Sequence, residues 1–320
     1  MRIWRNTRWD ALLLAFGVAQ FGATLWLATR WGNAPVPERI GGFALLVVMM
    51  AYNIIVVSHL FTHVAWFVSP RLNGLASMLN SVNIGQSVQV YEFTHVRNHH
   101  RYNNDAKGED GTTRDTSSTY RDGRDGDHAP LLPYAFGGAL ASLADRGHEL
   151  LAATRLWRVG ANERSLLAQA ARGPARRARE LRQVQLDRMA HCLALAVFAL
   201  ISWSWALECY LPAFYLALTL VNVQNYYRHY GARPGDRAAD SVSYYGRLYN
   251  LITFNDGYHQ EHHLSPAMHW SQMPAVRERH RAALDRSGRV ISPVPAMVGF
   301  LYHRRPLLHR DALVAPPGPE

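Results

Sequence analysis

The sequence predicts an all-α integral membrane protein with about four transmembrane helices, further interfacial helices and a histidine-rich cap on the cytoplasmic side. Three observations predict it. Long uncharged apolar runs alternate with polar, arginine-rich segments, although the mean hydropathy of the chain is only -0.16. Two of the runs end in histidines at the distance a helix needs to cross a bilayer. Nine of the 16 histidines fall into four short clusters. The chain reads as one membrane-embedded domain over residues 1–311, with its motifs between 59 and 274, followed by a Pro-rich tail at 312–320.

The first apolar run, 11–28, follows Arg2, Arg5 and Arg8. It is long for a signal-peptide core and no small-x-small cleavage site follows, so it reads as a retained transmembrane helix. The second run starts at Ile40 and stays uncharged past His63 to Pro70. A bilayer core of about 30 Å takes about twenty helical residues at about 1.5 Å each. Counted from Ile40, that distance ends at His59, with His63 one turn further. The third run is 189–207 and the fourth 211–224; twenty residues from Leu211 end near His229.

The loops give an orientation. Residues 1–10 carry three Arg, the turn between the third and fourth runs carries no Lys or Arg, and the stretch from Arg155 to Arg188 contains nine Arg. By the positive-inside rule both termini and the central loop are cytoplasmic, and all four histidine clusters lie on that side. The expected location is a bacterial inner membrane.

Between the second and third spans, 72–91 is uncharged but rich in Asn, Ser and Gln, which suits a helix lying in or re-entering the interface. Residues 101–128, dense in Asp, Gly and Arg, read as an exposed loop. The Ala/Arg-rich stretch 166–186 reads as an interfacial amphipathic helix. Net charge is +10 and Lys107 is the only lysine. A basic chain can bind nucleic acid, but no recognition module is visible and the apolar runs favour a membrane. Two cysteines, Cys192 and Cys209, form neither a disulfide framework nor a zinc pattern.

The first cluster is His59-Leu-Phe-Thr-His63. Residues four apart on a helix share a face, so both imidazoles can address one cavity. It is not the HExxH of a zinc protease, because Leu60 stands where the Glu would be. Alone, such a pair is ordinary at the end of an apolar helix. The second cluster, His95-Val-Arg-Asn-His99-His100, repeats the spacing and adds a third imidazole. The third is His229 alone, with Asn222 and Asn225 on the same stripe of the fourth span. The fourth is His259-Gln-Glu-His262-His263. Nine imidazoles exceed the roughly four ligands of one zinc, and fit two metals. Imidazole suits iron, copper, zinc and nickel, so ligand type alone does not name the metal. Glu92, Asp105, Asp256 and Glu261 are candidates to orient ring N–H groups. The other histidines (His128, His148, His191, His269, His280, His303 and His309) read as surface or interface residues.

Taken together, HxxxH, HxxxHH, a lone His after the fourth span and HxxHH, in that order, resemble the membrane fatty acid desaturase and alkane hydroxylase superfamily. The resemblance covers about residues 59–274. It implies a non-haem di-iron cap with His59, His63, His95, His99, His100, His229, His259, His262 and His263 as ligands of two iron ions. Asn225, one turn before His229, matches a position that contacts one iron through water in acyl-CoA desaturases. The HxxxH and HxxxHH spacings and Asn225-Tyr-Tyr-Arg-His-Tyr-Gly look like alkane hydroxylases. His100-Arg-Tyr and Asn255-Asp-Gly-Tyr-His-Gln-Glu-His-His look like desaturases and ketolases. Acyl-CoA desaturases carry HxxxxH in the first cluster, where this chain departs.

The activity that the resemblance implies is O2-dependent oxidation of a fatty acyl or other lipid hydrocarbon chain, with desaturation as the leading reading. Hydroxylation, carotenoid-type ketolation and decarboxylation to a terminal alkene are alternatives on the same scaffold. A metal transporter would set its ligands near the bilayer midplane rather than at one edge. No haem domain, flavin fingerprint or cysteine cluster is visible, so a separate ferredoxin, rubredoxin or cytochrome is the expected electron donor. Trp66 and Phe67 read as an aromatic interfacial belt.

Overall fold

The computed structural model describes residues 2–153 and 160–314. Arg155, Arg158 and the tail from residue 315 lie outside the described residues. Among the described residues the regular structure is helical, and the only β features are isolated bridges, Trp4 to Phe67 and Ser243 to Ile291. Among the described residues four helices are long and apolar enough to cross a membrane: α1 (Asp10–Asn33), α2 (Val36–His63), α7 (Pro174–Ile201) and α8 (Trp203–His229). Between α2 and α7 lie α3 (Pro70–Ile84), α4 (88–102), α5 (Gly138–Ala153) and α6 (Ala161–Ala168). After α8 come α9 (Arg247–Ile252), α10 (His259–Leu264), α11 (Met273–Arg286) and α12 (Leu308–Val314).

The four expected spans are present with different ends. The third was expected at 189–207, but its helix begins at Pro174 and ends at Ile201. Ser202, with φ -159, leaves the helix, and its side chain accepts from Trp205 N to start α8. Uninterrupted apolar composition hides such a break, because a single N-capping Ser reverses the chain without adding charge. The expected helix over 166–186 is two pieces: the first ends at Ala168, and the second opens at Pro174 after the N-cap Gly173. Its second half is the start of α7.

The chain forms two compact units. The first comprises Met1–Thr94 and Ala139–Thr219, with the greater part of all four spans. There α3 and the start of α4 form a hairpin. Pro70 follows the N-cap Ser69, and Gly85 turns the chain at φ 61. Ser87 then caps the next helix. The hairpin is held to α7 by Asp187, whose Oδ2 accepts from Ser77 Oγ (3.0 Å), Ser87 Oγ (2.9 Å) and Gln89 N (3.2 Å). Gln183 donates to Oδ1 at 2.8 Å. A buried carboxylate is tolerated when its lone pairs are filled in this way. Further along, Gln20 joins α1 to Asn83 and Asn53 through its amide. Trp66 and Phe67, expected at an aromatic belt, are buried instead. Phe67 stacks on Trp4 at 4.8 Å, Trp66 packs edge-on against Phe61 at 4.8 Å, and Arg5 N bonds Trp66 O.

The second unit comprises His95–Gly138 and Leu220–Glu320. Its loop 103–128 has no helix, as expected, but is not simply exposed: Asp115, Ser118, Thr119 and Tyr120 are buried. Asp105 orders it by accepting from the backbone N–H of Arg114 and Asp115.

Candidate metal centre

Three elements of the second unit bring four buried imidazoles together. His99 comes from α4, His229 from the last residue of α8, and His259 and His263 from α10. One ring nitrogen of each lies within 4.8 Å of the others. The four-residue spacing on α10 puts His259 and His263 on one face, with ring centroids 4.5 Å apart. His259 Nε2 and His229 Nε2 face each other at 3.4 Å. Two nitrogens about 2.1 Å from one ion, at 90–109°, lie about 3.0–3.4 Å apart, so the pair fits a shared metal. His99 Nε2 is buried with no hydrogen-bond partner among the described residues. A polar atom so placed costs about 1–3 kcal/mol unless something fills its lone pair. A metal ion would fill it, and the all-imidazole donor set fits iron or another borderline cation.

His95, His100 and His262 stand beside this group. His100 Nε2 lies 3.1 Å from His95 Nε2, and the His262 ring is 4.6 Å from that of His100. The spacing of His95, His99 and His100 is explained by the backbone. Residues 93–99 form a widened π-type turn, which carries residue i+5 back towards residue i. In a regular α-helix His100 would point away from His95. His59 and His63 belong to the other unit, at the end of α2, with ring centroids 5.1 Å apart. A second widened turn, Asn53–Ser58, precedes them. His59 Nδ1 donates to Ile55 O at 3.0 Å, leaving Nε2 as its lone-pair nitrogen.

The groups that orient the rings are partly ones that sequence reasoning missed. His99 Nδ1 donates to Asp115 Oδ2 at 2.7 Å, with Ser117 Oγ at 3.3 Å. His229 Nδ1 donates to the Asp240 carbonyl at 3.1 Å, and Asp240 Oδ1 lies 3.7 Å from His263 Nδ1. Such partners fix the tautomer and leave Nε2 for a metal. Burial alone would raise the Asp115 carboxyl, but the facing His99 imidazole and Ser117 hold it well below the usual carboxylate range. Burial pushes the Asp240 carboxyl up to about 7. Burial, Arg228 and the neighbouring rings keep His259 well below the usual imidazole range, so it is neutral, the form that binds metal.

The expected carboxylates anchor neighbouring segments. Asp105 binds the Asp115 loop, as above. Glu92 accepts from Gln89. Asp256 receives Arg228, Gln224 Nε2 (3.1 Å) and Tyr249 OH (3.0 Å), tying α8 to the turn before His259. Glu261 receives Ser243 Oγ (2.9 Å), Tyr245 OH (2.6 Å) and Arg289 Nη1 (2.7 Å), which anchors the opposite face of α10. Asn225 Nδ2 donates to Tyr134 OH at 2.7 Å and to Ser117 O at 3.3 Å.

Four histidines expected at the surface or interface are buried: His128, His191, His269 and His309. His269 caps the turn before α11. His128 accepts from Gly231 N at Nε2 (3.1 Å), so its Nδ1 carries the proton and donates to Thr119 Oγ1 (2.7 Å). Burial and the nearby His309 push it down to about 2, consistent with a permanently neutral ring. Leu308 N in turn bonds Gly231 O at 2.7 Å, and Arg305 Nη1 caps the end of α8 through Tyr227 O at 2.8 Å. His309 and Arg310 grip Asp127. The segment 305–310 is thus a strap across the residues that follow His229.

Comparison with known proteins agrees with this geometry. The model of the fatty acid desaturase family matches residues 39–295. A sphingolipid delta(4)-desaturase of Komagataella phaffii is 33% identical over 82 residues, 26% of this chain and 22% of that protein. A sphingolipid delta(4)-desaturase of Candida albicans is 49% identical over 65 residues, 20% of this chain and 17% of that protein. The alignments thus span under a quarter of either relative's length. The family match covers most of the chain, including all four histidine clusters, and this protein belongs to the fatty acid desaturase family.

Proposed function

We propose that this protein is a membrane-bound, O2-dependent oxidoreductase that desaturates a lipid hydrocarbon chain at a non-haem di-iron centre. The observation that carries the reading is the convergence of His99, His229, His259 and His263, all buried, in a chain whose family oxidises lipids. These four hold one iron. The nine-histidine set that the motifs imply for two irons includes five more, His59 and His63 on the first unit and His95, His100 and His262 on the second; their support is the one-face spacing of His59 and His63 and the close packing of the other three rings. Asn225 adds a water-mediated contact. Glu92, Asp105, Asp256 and Glu261 act at one remove, through the segments that they anchor.

Two reduced irons supply the means to activate dioxygen and to remove hydrogen from an unactivated C–H bond. What the chain supplies is position. Asp115 and the Asp240 carbonyl hold His99 and His229 with Nε2 inward, and burial keeps His259 neutral. The four spans keep the lipid chain in an apolar setting while water stays out. The arginine asymmetry of the loops supports a cytoplasmic site and cytoplasmic termini. Electrons come from a separate ferredoxin, rubredoxin or cytochrome. The names of the two relatives favour a sphingolipid chain among the candidate substrates.

Expression with a suitable donor, followed by mass spectrometry of extracted fatty acids and sphingolipids, tests the reading. The expected result is a loss of two hydrogens from one lipid class, absent when His263 is replaced by Ala. A product carrying an oxygen atom from labelled dioxygen would instead assign hydroxylation.

A further inference from the structure

α9 has six residues, and its outward side is aliphatic. Leu248 is 73% exposed, Leu251 75% and Ile252 55%. At i, i+3 and i+4 they form one stripe. The opposite side is fixed. Asn250 Nδ2 donates to Tyr244 O and Gly246 O, each at 3.0 Å, and its Oδ1 accepts from Gly257 N at 3.0 Å. Tyr249 OH bonds Asp256 Oδ2. The stripe is therefore held outward by a buried polar anchor rather than left loose. Three adjacent aliphatic side chains held outward in this way mark a surface with a partner.

The position of α9 names that partner. Asp256, which receives Tyr249, also receives Gln224 and Arg228, the last turn and a half of the candidate span α8. The stripe is thus tied to the C-terminal end of that candidate span, and the exposed Arg247 begins the helix with a cation suited to lipid headgroups. We propose that Leu248, Leu251 and Ile252 insert into the acyl region of the adjacent leaflet. α9 is then a monotopic anchor that sets the histidine cap against lipid. The same anchor reaches the candidate metal centre directly: Gly257 is pinned by Asn250, and His259 follows two residues later. The chain between them is held in an uncommon shape, with Phe254 at φ 54 and Asn255 at φ 61.

The test uses the full chain with Cys192 and Cys209 replaced by Ser, reconstituted in phosphatidylcholine/phosphatidylglycerol nanodiscs. A nitroxide is attached at L251C, and at R281C as a water-facing control (the Arg281 side chain is 67% exposed). L248C serves if L251C does not fold. The expected result is relaxation by oxygen several-fold stronger than by a water-soluble nickel chelate at residue 251, with the reverse at residue 281. Equal nickel accessibility at both positions overturns the proposal. So does shielding from both reagents at 251, which would mean that protein covers the stripe. The readout does not depend on iron or turnover, so it stands or falls apart from the proposed activity.

Discussion

At the scale of single residues, the site depends on how the second nitrogen of each ring is held. Asp115 is the sharpest case, being fully buried and 2.7 Å from His99 Nδ1. Removing such a partner typically weakens metal binding by about 10–100-fold. D115A is expected to lose iron to a chelator at correspondingly lower concentration, with D115N partly retaining it because an amide oxygen still accepts the ring N–H. Iron retention equal to the parent in D115A would remove Asp115 from the site. Gly231 gives a second prediction. Its φ is +86, and an added Cβ would lie 2.5 Å from Pro306 O. A side chain in that conformation costs about 1–3 kcal/mol before the clash is counted. G231A should therefore lower the melting temperature and loosen the strap over His229. An unchanged melting temperature would show that the strap yields freely.

At the scale of elements, the C-terminal strap has a built-in acid limit. Burial would raise the Asp127 carboxyl, but hydrogen bonds from Arg310 and His309 bring it down to about 2. A depressed carboxylate contributes its stabilisation in full above the ordinary value of 3.8 and loses it as pH falls towards about 2. The part-exposed pair makes the effect modest. Limited proteolysis should cut the C-terminal segment faster as pH drops through that window, and D127N should cut fast throughout. Elements also show what could be read from the chain. The apolar runs and the spacing of nine histidines were legible, because burial and ligation each demand a residue type at a period. The ends of α7 and α8 were not, because Ser202 reverses the chain with one hydroxyl and no change in hydropathy. Asp115 was missed because its loop is rich in Asp, and composition does not say which one points inward. The uncharged run Thr116-Ser-Ser-Thr119 beside it was the available signal, since its groups bond Asn98, Asn104 and Asp115 itself. The i, i+5 pair His95 and His100 was legible as a motif, but its convergence required the widened turn.

At the scale of the whole molecule, four apolar helices and the arginine asymmetry imply one side for both termini. Single-cysteine labelling in sealed vesicles should find residues near Arg5 and Arg310 on the same side and residues near Asn33 and Trp203 on the other. Opposite sides for the two termini would require an odd number of crossings. The central claim is the metal. The proposal is that nine histidines ligate a pair of irons, which the proposed chemistry requires. The most direct measurement is elemental analysis of folded, purified protein from iron-replete cells, normalised to chain by amino-acid analysis. The account predicts two irons per chain, falling to one or fewer when His259 and His263 are both replaced by Ala. A folded, monodisperse parent chain that holds no iron, or that holds zinc in its place, contradicts it.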